Sequence, residues 1–470
     1  MKVLFASAEI FPYAKTGGLA DVAQALPDAL HKDVDIVSVM PLYSFIDTKH
    51  FNIKKTMHSF TVILGKKSYE VSLFESLNKN VHTLFVDEKN LADCITPYAD
   101  KRGEHPLNRL RFALFSKAVV KIAELLKVDA LHLNDWHTAL GALWAKELLP
   151  DLHTIFTIHN LAFQGIFKKE TLQELGVDNS YFTPEGIEFW GDINYMKAGI
   201  AYSDVITTVS PTYKREIILS RFGCGLEGFL HVHEHKLYGI VNGIDTAFFN
   251  PTNDTSLHKT YSLKNLAPKK SNKLHFCKEH NLSDPHKPLT VFIGRFSEQK
   301  GLDVIINALE KVLALECNIA ILGDGDALMS QKLKILAETH LNLSVKSGYD
   351  EGLSHQMYSA ADFLLMPSRF EPCGLNQLIA LRYGTIPIVN DTGGLHDTIQ
   401  DFESVERSLC GHGIVMRKLS SSELYIALER ALQLFENRKK FLEVQKADMR
   451  CDVSFTKSAQ AYQKLYRKKQ

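Results

Sequence analysis

Lys15-Thr16-Gly17-Gly18-Leu19-Ala20-Asp21 follows a short apolar run, Val3-Leu4-Phe5-Ala6. A glycine pair that ends a strand and opens a helix leaves backbone N–H groups bare, and such a helix start favours anions. Lys15 sets a full positive charge in front of it. The pattern returns as Thr392-Gly393-Gly394-Leu395-His396-Asp397, again behind an apolar run at 386–389. Arg295 follows Val291-Phe292-Ile293-Gly294, and Lys300-Gly301 comes five positions later. Two such cations can hold a diphosphate, Arg through its planar donor fork and Lys as a point charge; the plain alternative is a solvated basic loop. Ser368-Arg369-Phe370-Glu371-Pro372-Cys373-Gly374-Leu375 lies between an apolar run and a helical pattern, where a functional loop belongs. There Pro372 stiffens the turn, Gly374 leaves donors open, and Glu371 either projects toward the strand ends or caps the helix. Cys373 reads as a buried small residue, since no base accompanies it in sequence.

In the first half, His159-Asn160 closes the run 154–158, and Asp135-Trp136-His137 closes another. Polar residues at the C-terminal edge of buried strands are placed to meet a ligand, although His137 also suits a helix cap. His231-Val232-His233-Glu234-His235 mimics a metal site, but its alternate spacing in a polar stretch reads better as an exposed loop. No Asp-x-Asp metal motif sits in a suitable loop, so no metal is expected.

The elements that must position these residues alternate in type. Nearly continuous apolar runs at 2–6, 35–40, 130–134, 154–159, 205–209 and 236–241 read as parallel strands covered on both faces. Helical patterns fall at 19–30, 107–126 and 139–148. The stretch 51–87 alternates, with Gly and Asn turns, and predicts β-hairpins at one edge. The second half repeats the scheme, with strands at 289–295, 318–322, 363–366 and 386–389 and helices near 302–315, 327–339, 353–360 and 375–383. This is βαβ architecture twice, an α/β fold of two Rossmann-like doubly wound domains. Asn242-Gly243-Ile244-Asp245 marks the connection, giving domains 1–245 and 246–454. The segment 251–280, rich in Lys, His and Asn, reads as a surface excursion. Facing strand ends predict a deep cleft that excludes water on closure.

At 470 residues the chain is too long for one ordinary core. Its 54 basic and 54 acidic residues cancel, which argues against nucleic acid and anionic membrane as partners. Glu9 and Lys15 break the first apolar stretch too early for a signal peptide, and no run approaches a membrane span. Seven scattered cysteines without a Cys-x-x-Cys pair predict no disulfide framework. A soluble, cytoplasmic protein is expected.

Eight motifs, in order, resemble the bacterial glycogen synthase and plant starch synthase family. They are Lys15 to Asp21, Asp135-Trp136-His137, Thr157-Ile158-His159-Asn160, Val209-Ser210-Pro211-Thr212-Tyr213, Asn242-Gly243-Ile244-Asp245, Gly294-Arg295-Phe296 with Gln299-Lys300-Gly301, Pro367 to Leu375, and Thr392-Gly393-Gly394-Leu395. The resemblance implies a retaining glucosyltransferase of GT-B architecture. It would move glucose from ADP-glucose to the 4-OH at the non-reducing end of an α-1,4-glucan such as glycogen, with no cofactor beyond that substrate. It also implies that 455–470 pack back on the first domain.

By the same resemblance, Lys15, Gly17 and Gly18 meet the donor diphosphate from one domain, and Arg295 and Lys300 from the other. Glu371 binds the donor sugar or stabilises developing positive charge, and the Cys373-Gly374-Leu375 backbone binds sugar hydroxyls. His159 lies against the glucose, Asp135 and Asn160 near sugar and acceptor, and Tyr349 against the nucleobase. Asp21, Asn242, Thr392 and Gly393 join the substrate-binding set. The base of the donor, and the choice between double displacement and same-face attack, stay open. A glucan-binding protein without activity would have no need of a diphosphate clamp. An NAD-dependent dehydrogenase is disfavoured, because no Gly-x-Gly-x-x-Gly follows the first strand.

Overall fold

Val3, Leu4, Phe5 and Ala6 are fully buried, as are Leu131, Leu133, Ile155, Phe156 and Ile158. Strands apolar on both faces pair in parallel and need helices on each side. The computed structural model describes residues 1–101, 103–404 and 411–467. Contacts divide the chain into one unit of Met1–Asn242 with Phe455–Gln470 and a second of Gly243–Ser454.

The sheet of the first unit runs Leu237–Gly239, Val205–Thr208, His153–Ile158, Ala130–Asn134, Lys2–Ala6, Asp35–Pro41, Val81–Asp87, Lys67–Asn78, Lys54–Leu64. All pairs are parallel up to Val81–Asp87, and the last two strands add antiparallel. Register aligns Ala6 with Leu133, Asn134 with Thr157 and Ile158 with Thr208. The loops opened by Ser7, Asp135, His159 and Val209 therefore leave one edge. Strand order reverses at Lys2–Ala6, the switch point outside which open α/β sheets bind ligands.

Helix Thr456–Tyr466 covers this sheet from beneath. Tyr466 Oη lies 2.7 Å from His132 Nδ1, and His132 Nε2 lies 2.6 Å from Thr157 Oγ1. Burial pushes the His132 pKa down to about 3, so the ring serves as a neutral hydrogen-bond bridge.

The second unit holds seven parallel strands in the order Leu343–Ser347, Asn318–Gly323, Leu289–Ile293, Phe363–Met366, Ile386–Asn390, Gly411–Met416, Ile399–Asp401. Its switch point falls between Leu289–Ile293 and Phe363–Met366. The loops of Arg295 and Glu371 leave from there. Helix Leu302–Leu313 packs Leu302, Ile305, Leu309 and Val312 against the sheet at helical spacing.

Several expectations need correction. The hairpins expected over 51–87 do form at one edge, Lys54–Leu64, Lys67–Asn78 and Val81–Asp87 pairing antiparallel in turn. But Val81–Asp87, with Leu84, Phe85 and Val86 buried, also pairs in parallel with Asp35–Pro41 and so belongs to the central sheet. The supposed excursion at 251–280 contains helix Ala267–Glu279. Its polar sequence hides two buried lysines. Lys269 Nζ donates to Tyr358 O, Ser359 O and Thr385 Oγ1, and Lys273 pairs with Asp362 at 2.5 Å. Three further strands, Leu343–Ser347, Ile399–Asp401 and Gly411–Met416, were not expected. His231 lies in helix Glu227–Val232 rather than a loop, and it pairs with Glu234 at 3.5 Å. Cys451 is disulfide-bonded, since separation in sequence sets no limit on which cysteines a fold brings together. Cys94, Cys224, Cys277, Cys317 and Cys373 are not disulfide-bonded. No described helix is long and apolar enough to cross a membrane.

Candidate active site

In the second unit, the two switch-point loops are bound into one platform. Arg369 reaches across with both guanidinium nitrogens to Asp303, at 2.6 and 2.5 Å, and donates to Glu298 O at 2.7 Å. Gly301 sits at φ 71°, and a Cβ there would stand 1.9 Å from Pro367 O. Only glycine lets the loops touch. On this platform Lys300 Nζ donates to Glu371 Oε2 at 2.7 Å, and Ser368 Oγ donates to the same oxygen at 2.9 Å.

Both bonds fall on Oε2. The loop around Glu371 is fixed from below as well. Gly394 N donates to Glu371 O at 2.9 Å, and Asn390 Nδ2 to Ser368 O at 2.8 Å. A Cβ on Gly394 would lie 2.1 Å from Cys373 O. Glu371 caps no helix: the N-cap of helix Asn376–Tyr383 is Leu375, without a side-chain cap. Cys373 is buried, as expected. Thr392 is buried and precedes the short helix Gly393–Thr398.

Arg295 is exposed, its guanidinium 3.2 Å from Gln299 Oε1. Tyr349 leaves the same sheet edge after Leu343–Ser347, with its side chain 71% exposed and its hydroxyl donating to Glu351. Asp350 caps helix Glu351–Ala360 through Leu353 N at 2.8 Å.

In the first unit, Lys15 Nζ pairs with Asp21 Oδ1 at 2.9 Å, so Asp21 holds the cation in place. Gly17 is the N-cap of helix Gly18–Leu30, and open space faces it. The loop hangs on a buried carboxylate: Glu9 accepts from Thr16 N, Thr16 Oγ1 and Tyr98 Oη. Burial raises the Glu9 pKa against the pull of these donors. Glu9 and Tyr98 escaped the sequence reading. A carboxylate just past a buried strand was a signal for Glu9; Tyr98 stands in irregular chain and gave none.

Asp135 stands at φ 56°, a strained value for any residue but glycine. The turn aims its Oδ1 at His159 N, 2.7 Å, and at Asn160 N, 3.4 Å. Asn134 Nδ2 donates to Ala6 O at 2.9 Å, so its Oδ1, 2.8 Å away, accepts from His159 Nε2. Burial lowers the His159 pKa to about 3, leaving a neutral ring whose Nδ1 is the acceptor. Asn242 is buried, and its Oδ1 accepts no hydrogen bond from the described residues. Among the described residues no cluster of three or more His, Cys, Asp or Glu side chains is placed to hold a metal ion.

Burial raises the Asp135 pKa from 3.8 to about 7. The folded chain thus holds this proton more tightly than the unfolded chain, and stability falls as pH rises between those values. Asp135→Asn keeps the acceptor and removes the buried charge. It is expected to be more stable than wild type at pH 8, by up to about 4 kcal/mol, with the gain fading toward pH 4. Thermal melts at both pH values test this, and coincident melts at pH 8 would mean a solvated carboxylate.

Two family models match the chain. Residues 2–232 match the starch synthase catalytic domain, and residues 276–447 match glycosyl transferases group 1. A glycogen synthase of Aquifex aeolicus is 41% identical over 470 residues, covering 99% of this chain and 98% of its own. One of Syntrophotalea carbinolica is 37% identical, covering 100% of this chain and 99% of its own. The catalytic domain of starch synthase IV from Arabidopsis thaliana, solved bound to ADP and acarbose, superposes with a TM-score of 0.91 at 29% identity. That match covers 99% of this chain and 98% of that domain. With two doubly wound units and these relatives, the chain belongs to the glycogen and starch synthase family and is a hexosyltransferase of the GT-B fold.

Proposed function

We propose that the protein transfers glucose from ADP-glucose to the 4-OH at the non-reducing end of an α-1,4-glucan, with retention of configuration, in glycogen synthesis in the cytoplasm. The observation that carries this reading is the platform on which Arg295, Lys300 and Glu371 stand at one switch point. Breaking the anomeric bond puts negative charge on the departing diphosphate and positive charge on the sugar ring. Fixed cations at the diphosphate stabilise that separation more than the ground state, and they need no reorganisation as charge develops. Arg295 and Lys300 supply them from the second unit. Lys15, steadied by Asp21, and the Gly17 and Gly18 amides are the cation and donors that the first unit has to offer a diphosphate.

Glu371 uses Oε2 to hold Lys300 and offers Oε1 to a sugar hydroxyl or to the ring's developing charge. The backbone of Cys373, Gly374 and Leu375, with Thr392 and Gly393, receives the glucose hydroxyls. Tyr349 offers its exposed ring to the base. His159, with Nδ1 as acceptor, and Asp135 and Asn160 meet the glucose and the incoming 4-OH; Asn242 contributes its unused amide oxygen. The ADP bound by the Arabidopsis domain supports an adenosine donor.

Because side chains supply the positive charge, EDTA is expected to leave the rate unchanged. The test is transfer of labelled glucose from ADP-glucose, and in parallel from UDP-glucose, to glycogen in the presence of EDTA. Incorporation chiefly from ADP-glucose is the expected result. Preference for UDP-glucose would overturn the donor, and activity lost to EDTA but restored by Mg²⁺ would overturn the metal-free mechanism.

A further inference from the structure

One buried cation of the second unit has no part in the transfer chemistry. His355 lies in helix Glu351–Ala360, 3% exposed, with its Nδ1 2.7 Å from Asp254 Oδ2. On the other side its Nε2 faces Glu351 Oε1, one turn earlier, at 3.6 Å, an ion-pair distance rather than a hydrogen bond. Burial, with the Phe248 and Phe249 rings each 5.1 Å away, pushes the imidazole pKa down, but the two carboxylates prevail and hold it at about 9. The ring is therefore charged at neutral pH. Asp254 is anchored in turn: Tyr383 Oη donates to its Oδ2 at 2.6 Å, and Ser256 N to its Oδ1 at 3.0 Å.

A charge this deeply buried is costly to keep, and Asp254 alone would answer it. What the second carboxylate adds is a link to the surface, because Glu351 accepts from Tyr349 Oη. Tyr349 gains from such a hold. Its ring is 71% exposed, and it follows Gly348 at φ 113°, a conformation that glycine alone adopts readily. An exposed ring gives up rotamer freedom when a flat base stacks on it, whereas a ring already oriented does not.

We propose that Glu351 is a positioning residue: held by His355 and Asp254, it sets the Tyr349 ring for the base of the donor. The grip on the nucleoside then depends on Glu351, and the rate of transfer does not. The inference rests on the placing of Tyr349 against the base proposed above.

The full chain is titrated with ADP and, separately, with inorganic pyrophosphate, and the ratio of the two affinities isolates the nucleoside. Tyr349→Ala is expected to lower that ratio about tenfold, the scale of one stacked base. Glu351→Ala and Tyr349→Phe are each expected to lower it about fivefold, the scale of one hydrogen bond to a charged group. The double variant Glu351→Ala with Tyr349→Phe should also lose about fivefold, since both changes break one contact. In the transfer assay Glu351→Ala should raise the KM for ADP-glucose by the same factor and keep the wild-type kcat. An unchanged ratio in Tyr349→Ala would overturn the placing of Tyr349 and the proposal with it. A loss in Tyr349→Ala without one in Glu351→Ala would overturn the proposal alone. So would losses that multiply in the double variant, or a pyrophosphate affinity that falls in Glu351→Ala as far as that for ADP.

Discussion

Glu371→Gln is expected to fold and to lose turnover by a factor of about 10³ or more, on the scale of removing a preorganised electrostatic group. Gln keeps the size of the side chain and an oxygen able to accept from Lys300 and Ser368, so the platform's shape survives. The negative charge proposed above to face the sugar ring is what disappears. Losing one partner of a fully buried ion pair costs about 3–5 kcal/mol. The Lys300 side chain is 22% exposed and rehydrates, so the cost falls well below that range. A thermal melt beside a labelled-glucose assay separates the two effects. Wild-type turnover would reduce Glu371 to an anchor for Lys300.

Arg295→Ala is expected to lower kcat by about 10²–10³ with no change in melting temperature. Its side chain is exposed, and the loop that carries it is held by Arg369, Asp303 and the Gly301 contact. Its guanidinium contacts Gln299, within the same loop. The loss should therefore fall on transition-state charge, with kcat and kcat/KM reduced together. A variant with wild-type kcat would remove Arg295 from the mechanism.

The parallel strands were legible because burial on both faces writes an unbroken apolar run, as in Lys2–Ala6 and Phe363–Met366. The glycine turns were legible because backbone contact leaves no other residue possible, as at Gly301 and Gly394. Helix Ala267–Glu279 was illegible for the opposite reason. Its lysines are satisfied by two carbonyls and a carboxylate from 358–362 and by the Thr385 hydroxyl, partners that no local window contains. Strand Leu343–Ser347 lies at the sheet edge, and its Ser344, Lys346 and Ser347 break the apolar run. At the site, the residue types at 295, 300 and 371 announced charge chemistry, whereas their roles came from the family resemblance. Of the supports, Glu9 beneath Thr16 left a trace as a carboxylate just past a buried strand, whereas Asn134 beneath His159 became visible only in three dimensions.

The position of helix Thr456–Tyr466 has a consequence for how the chain is made. The first unit's sheet is translated early, yet the helix that covers His132 emerges only after all of Gly243–Ser454. At about 5–20 residues per second, that delay is roughly 10–40 s. Throughout it the nascent first unit shows the ribosome's surroundings an uncovered strip of sheet around His132 and Thr157. The second unit, contiguous in sequence, can complete its core first. The fragment translated earliest is thus the one that matures last, and it is the natural client for a ribosome-bound chaperone.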